Sequence, residues 1–396
     1  CWLRRCGRFI IGCIAKYTLQ SAVDMVAPAI GKVIFLAIGS SMWLWMQAYV
    51  KLQVYRHGKA ILVPKERTEP IDFSNSTYGT HNFQEVNNIT IHYKEIGCNK
   101  STNQTMLLML HGFLNFWYTW NRLIANLSDE YCIVVPDMRG YGNTTRPNDP
   151  AAYLMTALVE DVKGLLLVLN PNNTRKVVLI GHDWGGMISF CFSTLYEKMI
   201  NKMVIINGMH PMAFAKQLLR SIRQMRMSWY LVPFRHLVVP EQYLIMDDLK
   251  FFDKVHRGFT AEEEDAHKYM FSQPGALTGA VNYYRAFNNN SDQLKHFPYR
   301  KLNVSTLMLW AEQDEFITNR VAEYNREWLR GPITIYYPNA GHWLLRECSE
   351  EISARIRLYA SKNYDLIERS NGAIKKWDGR APCAEAHTRS PRKSWL

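Results

Sequence analysis

The sequence predicts an α/β protein: a mostly parallel sheet covered by helices, with a helical insertion late in the sheet. Three observations carry this. From Asn88 onward, short β-branched runs alternate with stretches of helical periodicity. The runs are continuously apolar rather than alternating, which strands covered on both faces require. The alternation then breaks between about Pro211 and Pro298, where Trp- and Tyr-containing helical sequence and charge runs such as "TAEEEDAHKYM" replace it.

In chain order, "ITIHYKEIG" reads as an opening hairpin strand, and "TMLLMLHG" and "CIVVPDMRGYG" as buried strands ending in glycine-rich loops. "KVVLIGHD" reads as the central strand, followed by "MVIING", "STLMLWAEQD" and "ITIYYPNAGH". Helical patterns such as "LMTALVEDVKGLLLVL" and "GGMISFCFSTLYEKM" supply the cover between them. The expected organisation is an N-terminal segment over 1–65, a core over 66–210 and 299–371, a helical cap over 211–298, and a basic, disordered tail over 372–396.

The net charge of +12 belongs to the ends of the chain: residues 1–64 carry +7 and residues 372–396 carry +4. The middle is near neutral, which argues against a nucleic-acid partner. Residues 33–50 form an uncharged run long enough to span a bilayer, with Trp43, Trp45 and Tyr49 gathered at its C-terminal end as interfacial aromatics. An apolar run outside the catalytic region reads as a single-pass membrane anchor. N-x-S/T acceptor sites stand at Asn75, Asn88, Asn99, Asn103, Asn126, Asn143, Asn172, Asn289 and Asn303, an excess that favours a lumenal catalytic domain. The cysteines (1, 6, 13, 98, 132, 191, 348 and 383) form no C-x-x-C pair, so neither a zinc site nor a dense disulfide scaffold is expected. Cys132 and Cys191, in apolar runs, read as small buried hydrophobes.

The chemistry concentrates at strand ends. "GHDWGG" has the shape of the strand-to-helix elbow that presents a serine in G-x-S-x-G, but its centre is Asp183. Asp314 follows "STLMLWAEQ" and His342 follows "ITIYYPNAG", giving nucleophile, acid and histidine in the order this fold uses. A lone aspartate in a glycine-rich turn is usually a turn former; three such residues in order, at successive strand ends, point to catalysis. An ionised carboxylate can attack an sp³ carbon directly, forming an ester that a histidine-activated water then hydrolyses. Epoxides and alkyl halides both suit that scheme, and neither needs a metal or organic cofactor. Backbone N–H groups of Phe113, in "HGF", and of Trp184 are placed for an oxyanion hole. An opening epoxide also needs a proton donor, which Tyr230 and Tyr284 in the cap could supply. His111 and His182 read as packing or hydrogen-bonding supports.

These motifs together resemble the α/β-hydrolase-fold epoxide hydrolases, most closely their membrane-anchored animal members, over roughly residues 81–365. "HGF" with "WYTW", "PDMRGYG", "GHDWGG", "AEQDEFI" and "AGHW" resemble the family's oxyanion, fourth-strand, nucleophile, acid and histidine motifs. "NYYRA" and "SWY" resemble the segments bearing the ring-opening tyrosines, which assigns Tyr284 and Tyr230. Three positions depart from the family: Leu114 stands where proline is usual, Asn115 where an acidic residue is usual, and Asn121 where arginine is common. The resemblance implies hydrolysis of a lipophilic epoxide to a vicinal diol; the membrane anchor, which would place the chain at the endoplasmic reticulum, points to lipid-derived substrates such as epoxy fatty acids. A haloalkane dehalogenase of the same fold is disfavoured because "HGF" and "GHD" lack the Asn and Gln of halide-binding relatives. A catalytically silent, membrane-bound binding protein is the remaining alternative.

Overall fold

A computed structural model describes residues 2–98, 104–289 and 296–361. The expected tail beyond 372 and the acceptor sites at Asn99 and Asn103 lie outside these residues. Among the described residues the architecture is one eight-stranded sheet in the order β1-β2-β4-β3-β5-β6-β7-β8. Its strands are β1 (Thr80–Val86), β2 (Ile89–Ile96), β3 (Met106–Leu110), β4 (Cys132–Pro136), β5 (Val177–His182), β6 (Lys202–Ile206), β7 (Ser305–Leu309) and β8 (Ile333–Tyr336). β1 and β2 form an antiparallel hairpin, β2 pairs antiparallel with β4, and the other pairings are parallel.

This strand order decides where a site can form. From β3 the chain moves outward to β4, then crosses back over β3 to β5 and continues the other way. The reversal opens a crevice at the C-terminal ends of β3 and β5, where open α/β sheets bind ligands. Leu110 and Gly181 are register partners, so the loop after β3 and the elbow after β5 leave the sheet side by side. All six residues of β5 are buried, in keeping with cover on both faces. β1 is an addition to the expected strands: "THNFQEV" is a largely exposed edge, and a polar edge strand carries no apolar run to betray it.

The connection between β6 and β7 folds as helices: α6 (Pro211–Leu218), α7 (Ile222–Met227), α8 (Val239–Val255), α9 (Ala261–Ser272) and α10 (Ala276–Asn289). α9 starts on a capping box in which Thr260 and Glu263 satisfy each other's backbone N–H groups. α8 is broken where Asp247, Asp248 and Leu249 take left-handed backbone angles.

A long helix, α1 (Trp2–His57), precedes the sheet, and its Ala29–His57 portion is long and apolar enough to cross a membrane, with mean hydropathy 1.5. It does not stand apart from the catalytic region. Gly31, Phe35, Gly39, Met46 and Val50 form one buried stripe at helical spacing. A Cβ on Gly31 would lie 2.0 Å from the Leu219 carbonyl oxygen, and one on Gly39 would lie 2.2 Å from Val232. Trp43 stacks on His236 with centroids 3.8 Å apart. The opposite face stays apolar and open, with Val33 at 67% and Leu44 at 66% exposure. The run is therefore apolar all round, as its sequence indicates, yet one stripe of it is docked on the β6–β7 insertion.

The cysteines require a correction. Cys132 is joined to Cys98 in a disulfide across 34 residues of sequence and is not a free buried thiol. It reads as a simple core residue because its neighbours are β-strand hydrophobes, while its partner sits in the loop after β2. Cys191 is free and buried as expected.

Candidate active site

Asp183 sits at the turn between β5 and α5 (Trp184–Tyr196) with φ 52° and ψ −115°, a left-handed conformation that costs an L-residue on the order of 1–3 kcal/mol. The glycines around it make that conformation possible. A Cβ at Gly185 would lie 2.0 Å from the Leu110 carbonyl oxygen, and one at Gly112 would lie 2.5 Å from the Asp183 Cβ. The elbow is thus pressed against the end of β3, and the N–H of Phe113 donates to Asp183 Oδ1 at 2.8 Å. Burial raises the Asp183 pKa above the usual carboxylate value; the His342 charge and the N–H groups of Phe113 and Trp184 pull against it.

His342, after β8, faces the elbow with Nε2 3.8 Å from Asp183 Oδ2. Its Nδ1 donates to Asp314 Oδ2 at 2.8 Å, which fixes the tautomer and the ring plane. Asp314 is itself fixed, its Oδ1 accepting from the N–H groups of Phe316 and Ile317 at 2.7 and 2.8 Å. Burial disfavours the imidazolium, but Asp314, Asp183 and Glu315 together outweigh it and hold the His342 pKa up at about 9.

The insertion closes over this pair. Tyr230, between α7 and α8, and Tyr284, on α10, meet edge to face with centroids 5.6 Å apart. Both line, with Asp183 and His342, a cavity of about 440 Å³. Burial first pushes both phenols above their ordinary pKa; the Asp183 charge comes next for Tyr230, and for Tyr284 the neighbouring Tyr230 and then Asp183, so each keeps its proton and can donate it. The remaining wall is largely aromatic, with Phe113, Trp229, Phe234 and Phe316 prominent. The structure thus brings together all seven residues expected from the sequence: Asp183, Asp314, His342, Tyr230, Tyr284 and the backbone donors at Phe113 and Trp184.

The departures at 114, 115 and 121 are accommodated. Leu114 takes a positive φ of 55° in a buried position, and the neighbouring Phe113 N–H still reaches Asp183. Asn115 is 3.2 Å from Nε2 of His267 on α9, and with its amide turned so that Nδ2 donates, the otherwise unpaired nitrogen is satisfied. Asn121 contacts Arg346, which donates to Glu263 Oε1 at 2.8 Å; Arg122 donates to the same carboxylate at 2.9 and 2.6 Å. Two arginines of the core therefore hold the first turn of α9.

His111 and His182 are supports, as expected. His111 Nε2 accepts from the Met138 N–H at 2.9 Å, and His182 Nε2 donates to the His342 carbonyl at 3.1 Å. Two further supports escape sequence reasoning. Asn207 donates to the same carbonyl at 2.9 Å while accepting from Ala311 N–H, tying the loops after β6, β7 and β8 together. Glu315 accepts the His342 backbone N–H at 3.1 Å. Neither lies in a pattern that would mark it; only its position next to Asp314 draws notice to Glu315.

An unencumbered carboxylate, a carboxylate-oriented histidine and two protonated phenols around an apolar cavity have the chemistry to open strained or activated carbon–oxygen or carbon–halogen bonds. The α/β hydrolase fold family matches residues 105–347. Epoxide hydrolase 4 of Mus musculus is 30% identical over 327 residues, covering 79% of this chain and 87% of the relative. The chain belongs to the epoxide hydrolases of the α/β-hydrolase fold. Epoxide hydrolase 2 of Caenorhabditis elegans is 31% identical over 72% of this chain and 80% of its own length. Among solved structures, a Bacillus megaterium epoxide hydrolase in complex with an inhibitor shares the fold, with TM-score 0.63 and 23% identity over 70% of this chain and 99% of that one. In this epoxide hydrolase the Asp183 elbow and the loops carrying Asp314 and His342 all fall inside the matched span, and both tyrosines come from the β6–β7 insertion.

Proposed function

We propose that this epoxide hydrolase converts a lipophilic epoxide to a vicinal diol through an ester on Asp183. The observation that carries this is the elbow itself: a carboxylate with one oxygen on the Phe113 N–H and the other facing, but not bonded to, His342. In the first step an Asp183 oxygen attacks an epoxide carbon, the carbon–oxygen bond breaks, and the alkoxide takes a proton from Tyr284 or Tyr230. In the second, His342 takes a proton from water as that water attacks the ester carbonyl. The N–H groups of Phe113 and Trp184 hold the resulting oxyanion; its collapse breaks the ester carbon–oxygen bond, the departing diol oxygen takes the proton held by His342, and the proton of the regenerated Asp183 carboxyl returns to the tyrosine.

The electrostatics favour that order. The Asp183 charge raises the pKa of His342 and of both tyrosines. Alkylation neutralises Asp183. The same event makes the phenols better acids while the alkoxide develops and leaves more of the imidazole unprotonated, free to act as the base in the step that follows.

Membrane attachment through the apolar part of α1, with the catalytic region on the lumenal side of the endoplasmic reticulum, fits three features. Asn75, Asn88, Asn143, Asn172 and Asn303 are exposed at acceptor sites, the Cys98–Cys132 disulfide suits an oxidising compartment, and α1 offers an apolar face to lipid. Lipid-derived epoxides such as epoxy fatty acids are the substrates that location would supply.

Oxygen labelling tests the chemistry. With excess enzyme in heavy-oxygen water, the first turnover should release unlabelled diol and leave the label in the peptide carrying Asp183. Label in the diol of that first turnover would mean that water attacks the epoxide directly, and halide release without diol would select the dehalogenase reading.

A further inference from the structure

The cavity has a charged end that the reaction does not use. Arg223 and Arg226 both line it, three residues apart on α7 and so on one face of that helix. Both are exposed, and among the described residues neither forms an ion pair with a carboxylate. The other charged wall residue outside the catalytic pair, Glu315, is already engaged by Arg257 and by the His342 N–H. The mouth is therefore an apolar opening ringed on one side by two uncompensated guanidinium groups.

That side is also where α1 docks. Gly31 packs on Leu219 and Met225, and Gly39 packs on Val232, so the helix with the open apolar face runs beside the segment carrying the mouth. Ile222, adjacent to Arg223, is 62% exposed and lines the cavity as well. A molecule drawn from a lipid surface would meet the mouth with its chain oriented inward and its polar head left at the arginines.

We propose that the cavity takes an epoxide carried on a chain that ends in a carboxylate, with chain and epoxide inside and the carboxylate held at the mouth by Arg223 and Arg226. This rests on the epoxide-hydrolysis reading above and adds to it a specificity determinant. Guanidinium groups bind carboxylates in a planar, two-pronged geometry, and a volume of about 440 Å³ falls within the range of pockets that enclose ligands of this size. Because the arginines are exposed, their effect is a preference and not an absolute requirement.

The test compares a mid-chain epoxide of a long fatty acid with its methyl ester, both in neutral detergent, using the full chain. In the Arg223→Gln/Arg226→Gln variant the ratio of kcat/KM for the acid to that for the ester should fall roughly tenfold, and further in Arg223→Glu/Arg226→Glu. A ratio that stays put, or acid and ester falling together, overturns the proposal; the latter would give the arginines a part in shape or in contact with anionic lipid headgroups. A second measurement does not need turnover. In an Asp183→Asn background, quenching of intrinsic tryptophan fluorescence, to which the cavity-lining Trp229 and Trp343 contribute, should report tighter binding of the acid than of the ester, and the double Gln variant should erase the difference. An enzyme that opens no epoxide at all would sink the functional reading, whereas equal binding of acid and ester would sink only this inference.

Discussion

His342 stands between two carboxylates and treats them differently: its Nδ1 is 2.8 Å from Asp314 Oδ2, and its Nε2 is 3.8 Å from Asp183 Oδ2. The first distance is a hydrogen bond and the second is too long for one. The imidazole is therefore anchored on its far side and leaves Asp183 free on its near side. Such an arrangement suits the two proposed steps, since attack on carbon needs Asp183 unencumbered and attack on the ester needs a base already aimed at it.

His342→Gln should separate those steps. Alkylation does not use the imidazole as a base, so the variant should still form the ester; hydrolysis does, so the ester should persist. Mass spectrometry after mixing with epoxide should find a stoichiometric adduct on the peptide carrying Asp183, with diol formation reduced on the order of 100- to 10,000-fold. A variant that neither turns over nor accumulates adduct would remove His342 from the second step alone.

The pH dependence follows from the same pair. Burial opposes the imidazolium, but Asp314 and Asp183 hold the His342 pKa up at about 9 in the free enzyme, so the ring is mostly protonated at neutral pH. Ester formation removes the Asp183 contribution, and the pKa must fall. The single-turnover rate of ester hydrolysis should therefore rise with pH through a midpoint below the one that NMR titration of His342 gives for the free enzyme. Asp314→Asn should lower that midpoint further and slow the step. On the acid side, the raised Asp183 pKa means that alkylation should fail at a higher pH than an ordinary carboxylate would require. Identical midpoints for free enzyme and ester would show that the two residues are not coupled as their charges imply.

Tyr284→Phe should slow alkylation while leaving ester hydrolysis nearly intact, because in the proposed mechanism the hydroxyl serves only the developing alkoxide. Loss of one transition-state hydrogen bond costs about 2–4 kcal/mol, roughly 30- to 1000-fold in the first step. Since Tyr230 faces the same cavity, the double Phe variant should lose more than either single one. Unchanged single-turnover alkylation would assign Tyr284 to packing against Phe113 and Trp184, which its ring also touches.

Much of the fold and of the site is legible in the amino-acid sequence. Asp183, Asp314 and His342 announce themselves because each follows an apolar strand, and strand ends are where a parallel sheet gathers its loops. What cannot be read there is what depends on distant partners. The Cys98–Cys132 bond joins a loop to a strand whose sequence looks like plain core. Asn207 and Glu315 hold the His342 backbone through contacts that no local pattern encodes. The β1 edge has no apolar face to show, and the docking of α1 depends on Gly31 and Gly39, which in sequence are only two small residues in an apolar run.

The elbow makes a last prediction that separates rigid from yielding contacts. Gly185→Ala places a Cβ 2.0 Å from the Leu110 carbonyl oxygen and 2.8 Å from that of His111, both backbone atoms at the end of a buried strand. Neither can swing aside, so α5 must back away, and the first residue to move is Asp183, whose Oδ1 then loses the Phe113 N–H. Stability should fall by about 1–3 kcal/mol, as for other overpacked sites, and ester formation should drop more than tenfold in whatever protein remains folded. Gly164→Ala is the comparison. Its Cβ meets Val86 Cγ1 at 2.3 Å, a side-chain atom at the end of β1, and the glycine lies inside the helix Met155–Leu169, where alanine is favoured by up to about 1 kcal/mol. The nearest neighbours of that Cβ all belong to Val86 and none to the elbow, so Gly164→Ala should change the denaturation midpoint modestly and leave the alkylation rate alone. Equal loss of alkylation in both variants would mean that general loosening of the sheet, and not the seating of the elbow, sets the reactivity of Asp183.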